Sequence, residues 1–374
     1  MTANGAPRIA RAQPAHGGLA LTLAVGDRLH HESLDAHWLL DHGEDAARLD
    51  PSTLQRRVDT FAIDPRVTVA SARVEGDAVV VGWSDGSPEG RYSAALLAEV
   101  LGLAPVDLPR RTWSAGSLPD PLPRHDHDAV VGTDDGLAAW LDDVATLGFG
   151  LVRGVPATAE AAERLARRVG YPRETIFGGM WRLSSEMTEH SDTAYSRTFL
   201  EPHTDSTYVP DAPGLQMFCC IERDGTGGES ILVDGLAAAE ELRATDPAAF
   251  ATLTTVPVPG RYVERGVHLR AERPAIRLGR DGAIAQVSIN NYDRAPFRLP
   301  EPEMREFYRA YGALHRRLND RGHWLLVRLD PGDALLFDNW RTLHGRMEYT
   351  GRRVFMGCYH NREDFDSRRR ILRG

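Results

Sequence analysis

The chain has 374 residues, 42% of them hydrophobic and 26% charged, with a formal net charge of −9. That length exceeds one ordinary domain, and that charge argues against a nucleic-acid surface, which needs a concentrated basic footprint. All 44 basic residues are arginine, so Schiff-base, pyridoxal-phosphate, P-loop and lysine general-base chemistry are excluded too.

Residues 1–17 carry Arg8 and Arg11 and no acid, which is faintly transit-like. Their Pro and Gly content opposes an amphipathic helix, so an untargeted, disordered start is expected. Residues 18–104 read as a small β-rich domain. Leu19–Val25, Val67–Val74 and Asp77–Trp83 are apolar strand runs between turn signals, and Leu96–Leu103 reads as a closing helix. Residues 105–128, with Pro105, Pro109, Pro119, Pro121 and Pro123, read as a surface linker. Within it, His125 and His127 look like a metal patch but read as a solvated loop.

Residues 129–374 form the second predicted domain. Leu137, Trp140, Leu141, Val144 and Leu147 fall at helical spacing, then Phe149–Val152 reads as a strand and Thr158–Val169 as a helix. Leu215–Ile221, Ser230–Val233, Ala283–Ile289, Trp324–Leu329 and Ala334–Phe337 are strand runs, with helices over Ala237–Arg243 and Glu301–Arg317. The class is mainly β with inserted helices. Without βα alternation or a Gly-X-Gly-X-X-Gly loop, a distorted jelly roll is expected, not a dinucleotide-binding fold. The run Arg368-Arg369-Arg370 reads as a solvated helix face.

The three cysteines are Cys219, Cys220 and Cys358. Neighbours on a strand point to opposite faces and cannot form a relaxed disulfide, so buried, reduced thiols in a cytoplasmic setting are expected. No apolar run approaches the ~20 residues that span a bilayer. All-arginine usage with abundant Ala, Gly and Pro points to a GC-rich bacterial genome.

The chemistry concentrates in Glu201-Pro202-His203-Thr204-Asp205-Ser206-Thr207-Tyr208. On a strand, residues two apart share a face, so His203 and Asp205 can grip one ion. His344 is the natural third ligand. Two imidazoles and one carboxylate on one side of a metal, with the opposite positions open, is the pattern of non-haem Fe(II) oxygenases.

Several stretches resemble the γ-butyrobetaine/trimethyllysine dioxygenase family of Fe(II)/2-oxoglutarate oxygenases. They are His203–Tyr208, Gly225-Thr226-Gly227-Gly228-Glu229 with Leu232–Gly235, Asn290-Asn291-Tyr292-Asp293-Arg294, Phe337–Arg346 and Arg353–Tyr359. Gly179-Met180-Trp181 and Asp192-Thr193-Ala194-Tyr195 lean toward the trimethyllysine branch. The resemblance implies a double-stranded β-helix with Fe(II) on His203, Asp205 and His344, and with 2-oxoglutarate and O₂ as co-substrates. It implies Arg353 on the distal carboxylate of 2-oxoglutarate, suiting a planar, permanently charged guanidinium, with Ser230 adding a hydroxyl contact. It implies hydroxylation of an unactivated C–H bond, with release of succinate and CO₂. It further implies a homodimer and an aromatic cage for a quaternary ammonium at Phe177, Trp181, Tyr195 and Tyr359, with Asn291 on the substrate's carboxylate. Phe177 and Trp181, four apart, suit one face of a helix or turn, while Asp192 and Glu189 read as a solvated loop.

The family's N-terminal zinc, held by three cysteines and a histidine, is ruled out, because no cysteine precedes Cys219. That departure keeps open the same oxygenase chemistry on a different amino acid or natural-product intermediate. From another class, a non-catalytic metal-binding β-barrel would leave Arg353 without a purpose. A halogenase is disfavoured by Asp205, and a serine hydrolase by the missing nucleophile elbow.

Overall fold

The computed structural model describes residues 6–103, 108–184 and 195–373. The chain divides into two compact units, Met1–Asp107 and Leu108–Gly374.

The first unit contains β1 (Arg8–Ala15), β2 (Gly18–Val25), β3 (Arg28–Leu34), α1 (Ala36–His42), β4 (Val69–Glu75), β5 (Ala78–Trp83), β6 (Gly90–Ser93) and α2 (Ala94–Val100). Two antiparallel three-stranded sheets, β1-β2-β3 and β4-β5-β6, share a core of Leu19, Leu21, Leu23, Val79, Val81 and Trp83 with Leu39 and Leu97 from the helices. The expected disordered start is corrected here. Arg8–Ala15 pairs along β2 and buries Ile9, because the β2 edge needs a partner for its backbone groups. Arg48, 3% exposed, ties the unit together. It donates from Nε to the Leu40 carbonyl (2.9 Å), from Nη1 to Asp45 (2.8 Å) and the Glu89 carbonyl (3.1 Å), and from Nη2 to the Pro88 carbonyl (2.6 Å).

The second unit opens with β7 (His125–Asp126), α3 (His127–Gly132), α4 (Asp134–Leu147), β8 (Phe149–Arg153), α5 (Ala159–Val169), β9 (Trp181–Ser184), β10 (Leu200–His203), β11 (Leu215–Asp224) and β12 (Ser230–Asp234). It continues with α6 (Gly235–Thr245), α7 (Pro247–Thr255), β13 (Pro257–Glu264), β14 (Val267–Pro274), β15 (Ile276–Leu278), β16 (Ile284–Val287) and α8 (Glu301–Leu318). It ends with β17 (Leu325–Val327), β18 (Ala334–Asp338), β19 (Thr342–Arg346), β20 (Arg352–His360) and α9 (Arg362–Arg373).

A four-stranded sheet, β10-β19-β12-β17, faces a six-stranded sheet, β7-β8-β18-β11-β20-β9. Leu232 and Val327 of the first meet Leu151, Leu335, Phe337 and Phe355 of the second in the core between them. Strand alternation sends the other residues outward. Ile231, Val233 and Leu343 pack under α6, α7 and α8, whereas Met217, Cys219 and Leu336 pack under α4 and α5. The unit is therefore a jelly roll jacketed by helices. The three thiols are buried and free.

Residues 108–128 do not behave as a surface linker. Trp113 is 5% exposed; its ring N–H donates to the Leu147 carbonyl and its backbone N–H to Asp234. The reason is Arg341, buried in a bidentate pair with Asp234 and donating to the Arg111 and Thr146 carbonyls. A buried guanidinium has five donors to satisfy, and the proline-rich segment supplies an acceptor. His125 is likewise drawn onto Asp143 (2.8 Å), and His127 is buried rather than solvated. The C-terminal arginine run is also not uniformly solvated. Arg369 is 5% exposed, stacks over Phe365 and lies 3.6 Å from Asp142.

Candidate metal and substrate site

The two imidazoles are positioned by the sheet. His203 ends β10 and His344 lies opposite it on β19, so their rings stand 4.4 Å apart. Asp205 does not share a strand with His203, contrary to the strand-face expectation. β10 stops at His203, and Ser206 adopts a left-handed backbone (φ 61°) that turns the chain away. Such a conformation in a residue with a Cβ costs about 1–3 kcal/mol and persists only where its surroundings enforce it. Here Asn339 does so, accepting from the Asp205 backbone N–H (2.8 Å) and donating to the Asp205 and Pro213 carbonyls.

One ligand atom from each of His203, Asp205 and His344 lies within 4.8 Å of the others, the one such cluster among the described residues. Asp205 reaches His203 Nε2 at 3.3 Å and His344 Nε2 at 3.7 Å. His203 donates from Nδ1 to the Glu201 carbonyl (2.7 Å), which turns Nε2 toward Asp205. Burial works to lower its pKa, but the Asp205 carboxylate outweighs it and raises it, so a metal binding at Nε2 would displace a proton there. Burial pushes His344 down to about 4, so it is neutral at neutral pH. Burial acts to raise Asp205, but its histidine neighbours and the hydrogen bonds from His203 and Tyr359 outweigh it and hold the carboxyl well below the usual range. Two imidazoles, deprotonated on the metal side, and one carboxylate are a donor set that suits a dicationic metal.

The triad opens on a pocket between the two sheets. Phe177, Trp181, Tyr195, Tyr359, Ser230 and Arg353 all line it. Phe177 sits in a turn closed by Thr175 and Gly178, and Trp181 opens β9, so no helix presents the pair. Trp181 lies 5.6 Å from Tyr359 and 5.7 Å from Phe218, while Phe177 stands edge-on to Tyr262. Trp181 can lie there because Gly357 is its register partner: a Cβ on Gly357 would stand 2.1 Å from the ring.

Arg353 is 7% exposed, with its Nε buried and lacking a hydrogen-bond partner among the described residues. It stacks 3.9 Å over Phe355, and burial together with neighbouring Arg346 pulls it down to about 10. A buried guanidinium in that condition calls for an anion, and a carboxylate fits its fork.

Asn291 does not line the pocket. It is exposed and accepts from Arg294, while Asn290 lines the pocket and donates to Asp293 (2.8 Å). In the turn between them only the first amide faces inward. Glu189, Asp192, Thr193 and Ala194 lie outside the described residues. The sequence reading also missed Tyr208, Gln216, Tyr292, Asp293 and Arg346 as pocket residues. Gln216 had a signal: a lone amide in the apolar run Leu215–Ile221, 2% exposed, with no partner for its Oε1 among the described residues.

The family "Taurine catabolism dioxygenase TauD, TfdA family" matches residues 120–359, which carry the triad, the jelly roll and Arg353. The chain belongs to this family. Among relatives of the TauD/TfdA member described here, the mitochondrial trimethyllysine dioxygenase of Rattus norvegicus is 35% identical, covering 90% of this chain and 82% of that protein. The γ-butyrobetaine dioxygenase of a Pseudomonas species is 34% identical, covering 86% and 82%. The trimethyllysine dioxygenase of Meyerozyma guilliermondii is 35% identical, covering 71% and 68%. Relatives of this TauD/TfdA chain are thus named as dioxygenases across most of its length.

Proposed function

We propose that the protein is an Fe(II)/2-oxoglutarate-dependent hydroxylase acting on a small zwitterion bearing a trimethylammonium group. One observation carries the reading: the His203/Asp205/His344 cluster, an anion-seeking Arg353 and a wall of aromatic rings all open on one pocket. Fe(II) bound there would supply the coupling of 2-oxoglutarate decarboxylation, yielding succinate and CO₂, to insertion of one oxygen atom into a C–H bond.

The chain's own residues do the positioning. Arg353, with Ser230 beside it in the pocket, fixes the distal carboxylate of 2-oxoglutarate and so aims its keto-acid end at the triad. Phe177, Trp181, Tyr195 and Tyr359 hold the cation by its attraction to ring faces, which needs no hydrogen-bond donor and therefore suits a fully methylated nitrogen. Asp293 also lines the pocket, and its negative charge reaches His203. A carboxylate there favours a substrate with a second, amino cation, such as trimethyllysine, over γ-butyrobetaine.

The same reading includes a bacterial, cytoplasmic homodimer. Three free buried thiols and the lysine-free composition support the setting, and light scattering would test the dimer.

The deciding experiment is succinate release by Fe(II)-loaded protein with 2-oxoglutarate and O₂ across trimethyllysine, γ-butyrobetaine and their unmethylated analogues. Mass spectra would be checked for one added oxygen. Coupled turnover with the methylated cations alone is expected. Slow succinate release unaffected by any of them would discard the substrate class, and no succinate from iron-loaded protein would discard the oxygenase.

A further inference from the structure

We propose that Tyr359 is a positioning residue for the metal site, its hydroxyl holding one oxygen of Asp205 so that the other is presented to the ion. The inference rests on reading the triad as a metal site, and adds to Tyr359 a purpose separate from its ring.

The Tyr359 hydroxyl donates to Asp205 Oδ2 at 2.7 Å, the length of a hydrogen bond to a charged acceptor. Asp205 needs such a hold more than the histidines do. It stands beyond the end of β10 on a turn with a left-handed residue next to it, so no sheet pairing fixes its side chain. Asn339 binds the Asp205 main chain and leaves the carboxylate free to rotate about its own bonds. Tyr359 is held in the six-stranded sheet: on β20 it pairs with Gln216 of β11, two residues beyond Gly357, where the pairing with β9 ends. A donor anchored there fixes the carboxylate's rotation and favours coordination through one oxygen. Partners of this kind, hydrogen-bonded to a ligating group, set metal affinity by 10–100-fold.

The two ends of the side chain also link the pocket to the metal. The Tyr359 ring tilts against Trp181 on the pocket wall, and its hydroxyl touches the ligand.

The test is Co(II) titration of the full-length protein without oxygen, followed by the visible ligand-field bands, in wild type, Tyr359→Phe and Tyr359→Leu. Tyr359→Phe keeps the ring and removes the hydroxyl. It should weaken Co(II) binding about tenfold or more and alter the bands at a wild-type melting temperature, while keeping more metal-free affinity for tetramethylammonium than Tyr359→Leu, which loses ring and hydroxyl together. Co(II) affinity and bands unchanged in a Tyr359→Phe protein of wild-type melting temperature would overturn this inference alone. No Co(II) binding by wild type would overturn the metal site with it.

Discussion

Gly357→Ala is a test that targets Trp181 without touching it. An added Cβ would stand 2.1 Å from Cη2 and Cζ3 of Trp181 and 2.7 Å from Cε3. Carbon atoms rest about 3.5–4.0 Å apart, so something must move by roughly 1.5 Å. The strand cannot yield cheaply, because Gly357 is paired with Phe218 on β11 and Trp181 on β9. The indole must swing instead, at about 1–3 kcal/mol of folding stability, the usual cost of overpacking. If the indole is a wall of the cation cage, its displacement forfeits a cation–π contact of about 0.5–2 kcal/mol. At 1.4 kcal/mol per decade, the KM for a trimethylammonium substrate should rise between about twofold and 30-fold. The KM for 2-oxoglutarate should not move. Both constants come from succinate release, and a cycle with Trp181→Ala isolates the coupling: with the ring gone, Gly357→Ala should do nothing further to KM. A lowered melting temperature with unchanged KM for the cation would refute the reasoning, showing that the ring is packing rather than cage.

Arg353→Met should raise the KM for 2-oxoglutarate by roughly 100-fold, since losing one side of a buried, hydrogen-bonded charge pair costs about 2–5 kcal/mol; titration of 2-oxoglutarate in the succinate assay checks this, and a shift under fivefold would reassign the residue. Arg48→Met should destabilise the first unit by about 3 kcal/mol in urea unfolding, because three carbonyls and Asp45 lose their donor together. His360 gives a pH signature. Burial holds it down to about 4, against about 6.5 in an unfolded chain. Between those values the unfolded chain binds the extra proton, so stability falls as pH drops from 6.5 toward 4, by about 3 kcal/mol in all. His360→Asn, neutral throughout, should flatten that part of the slope in urea unfolding at pH 7.5 and 5; parallel slopes would contradict it.

The parts of the fold legible in the sequence are those where one face meets a core. The α4 spacing declares itself because one helix face packs on a core, and the apolar runs of β11 and β18 because each strand is covered on both faces. The elements that were not seen lack that contrast. The β13–β14 hairpin carries Arg261, Glu264, Arg270, Glu272 and Arg273 along its length, and β3, Arg-Leu-His-His-Glu-Ser-Leu, buries only its last residue. A strand held mainly by backbone pairing to a neighbour leaves little trace in side-chain pattern. In the site, the convergence of His203, Asp205 and His344 was legible because few residue types can serve as metal ligands. Asn290 was not distinguished from Asn291, since adjacent identical amides differ only in which way a turn faces them. Asn339, which holds the Asp205 backbone, has no signature of its own and emerges only when the loop and β19 are brought together.

Asp205 and the two histidines owe their places to different parts of the molecule. The imidazoles belong to paired strands, whereas the carboxylate hangs from a turn held by Asn339 and Tyr359. On the proposed reading of the three as metal ligands, the carboxylate is the detachable one. Replacing it would leave the strand pairing of the histidines in place, so a position on the metal could be vacated or refilled by a different donor while the rest of the scaffold stands. A fold built this way can change its chemistry at one residue without first having to survive a change in its architecture.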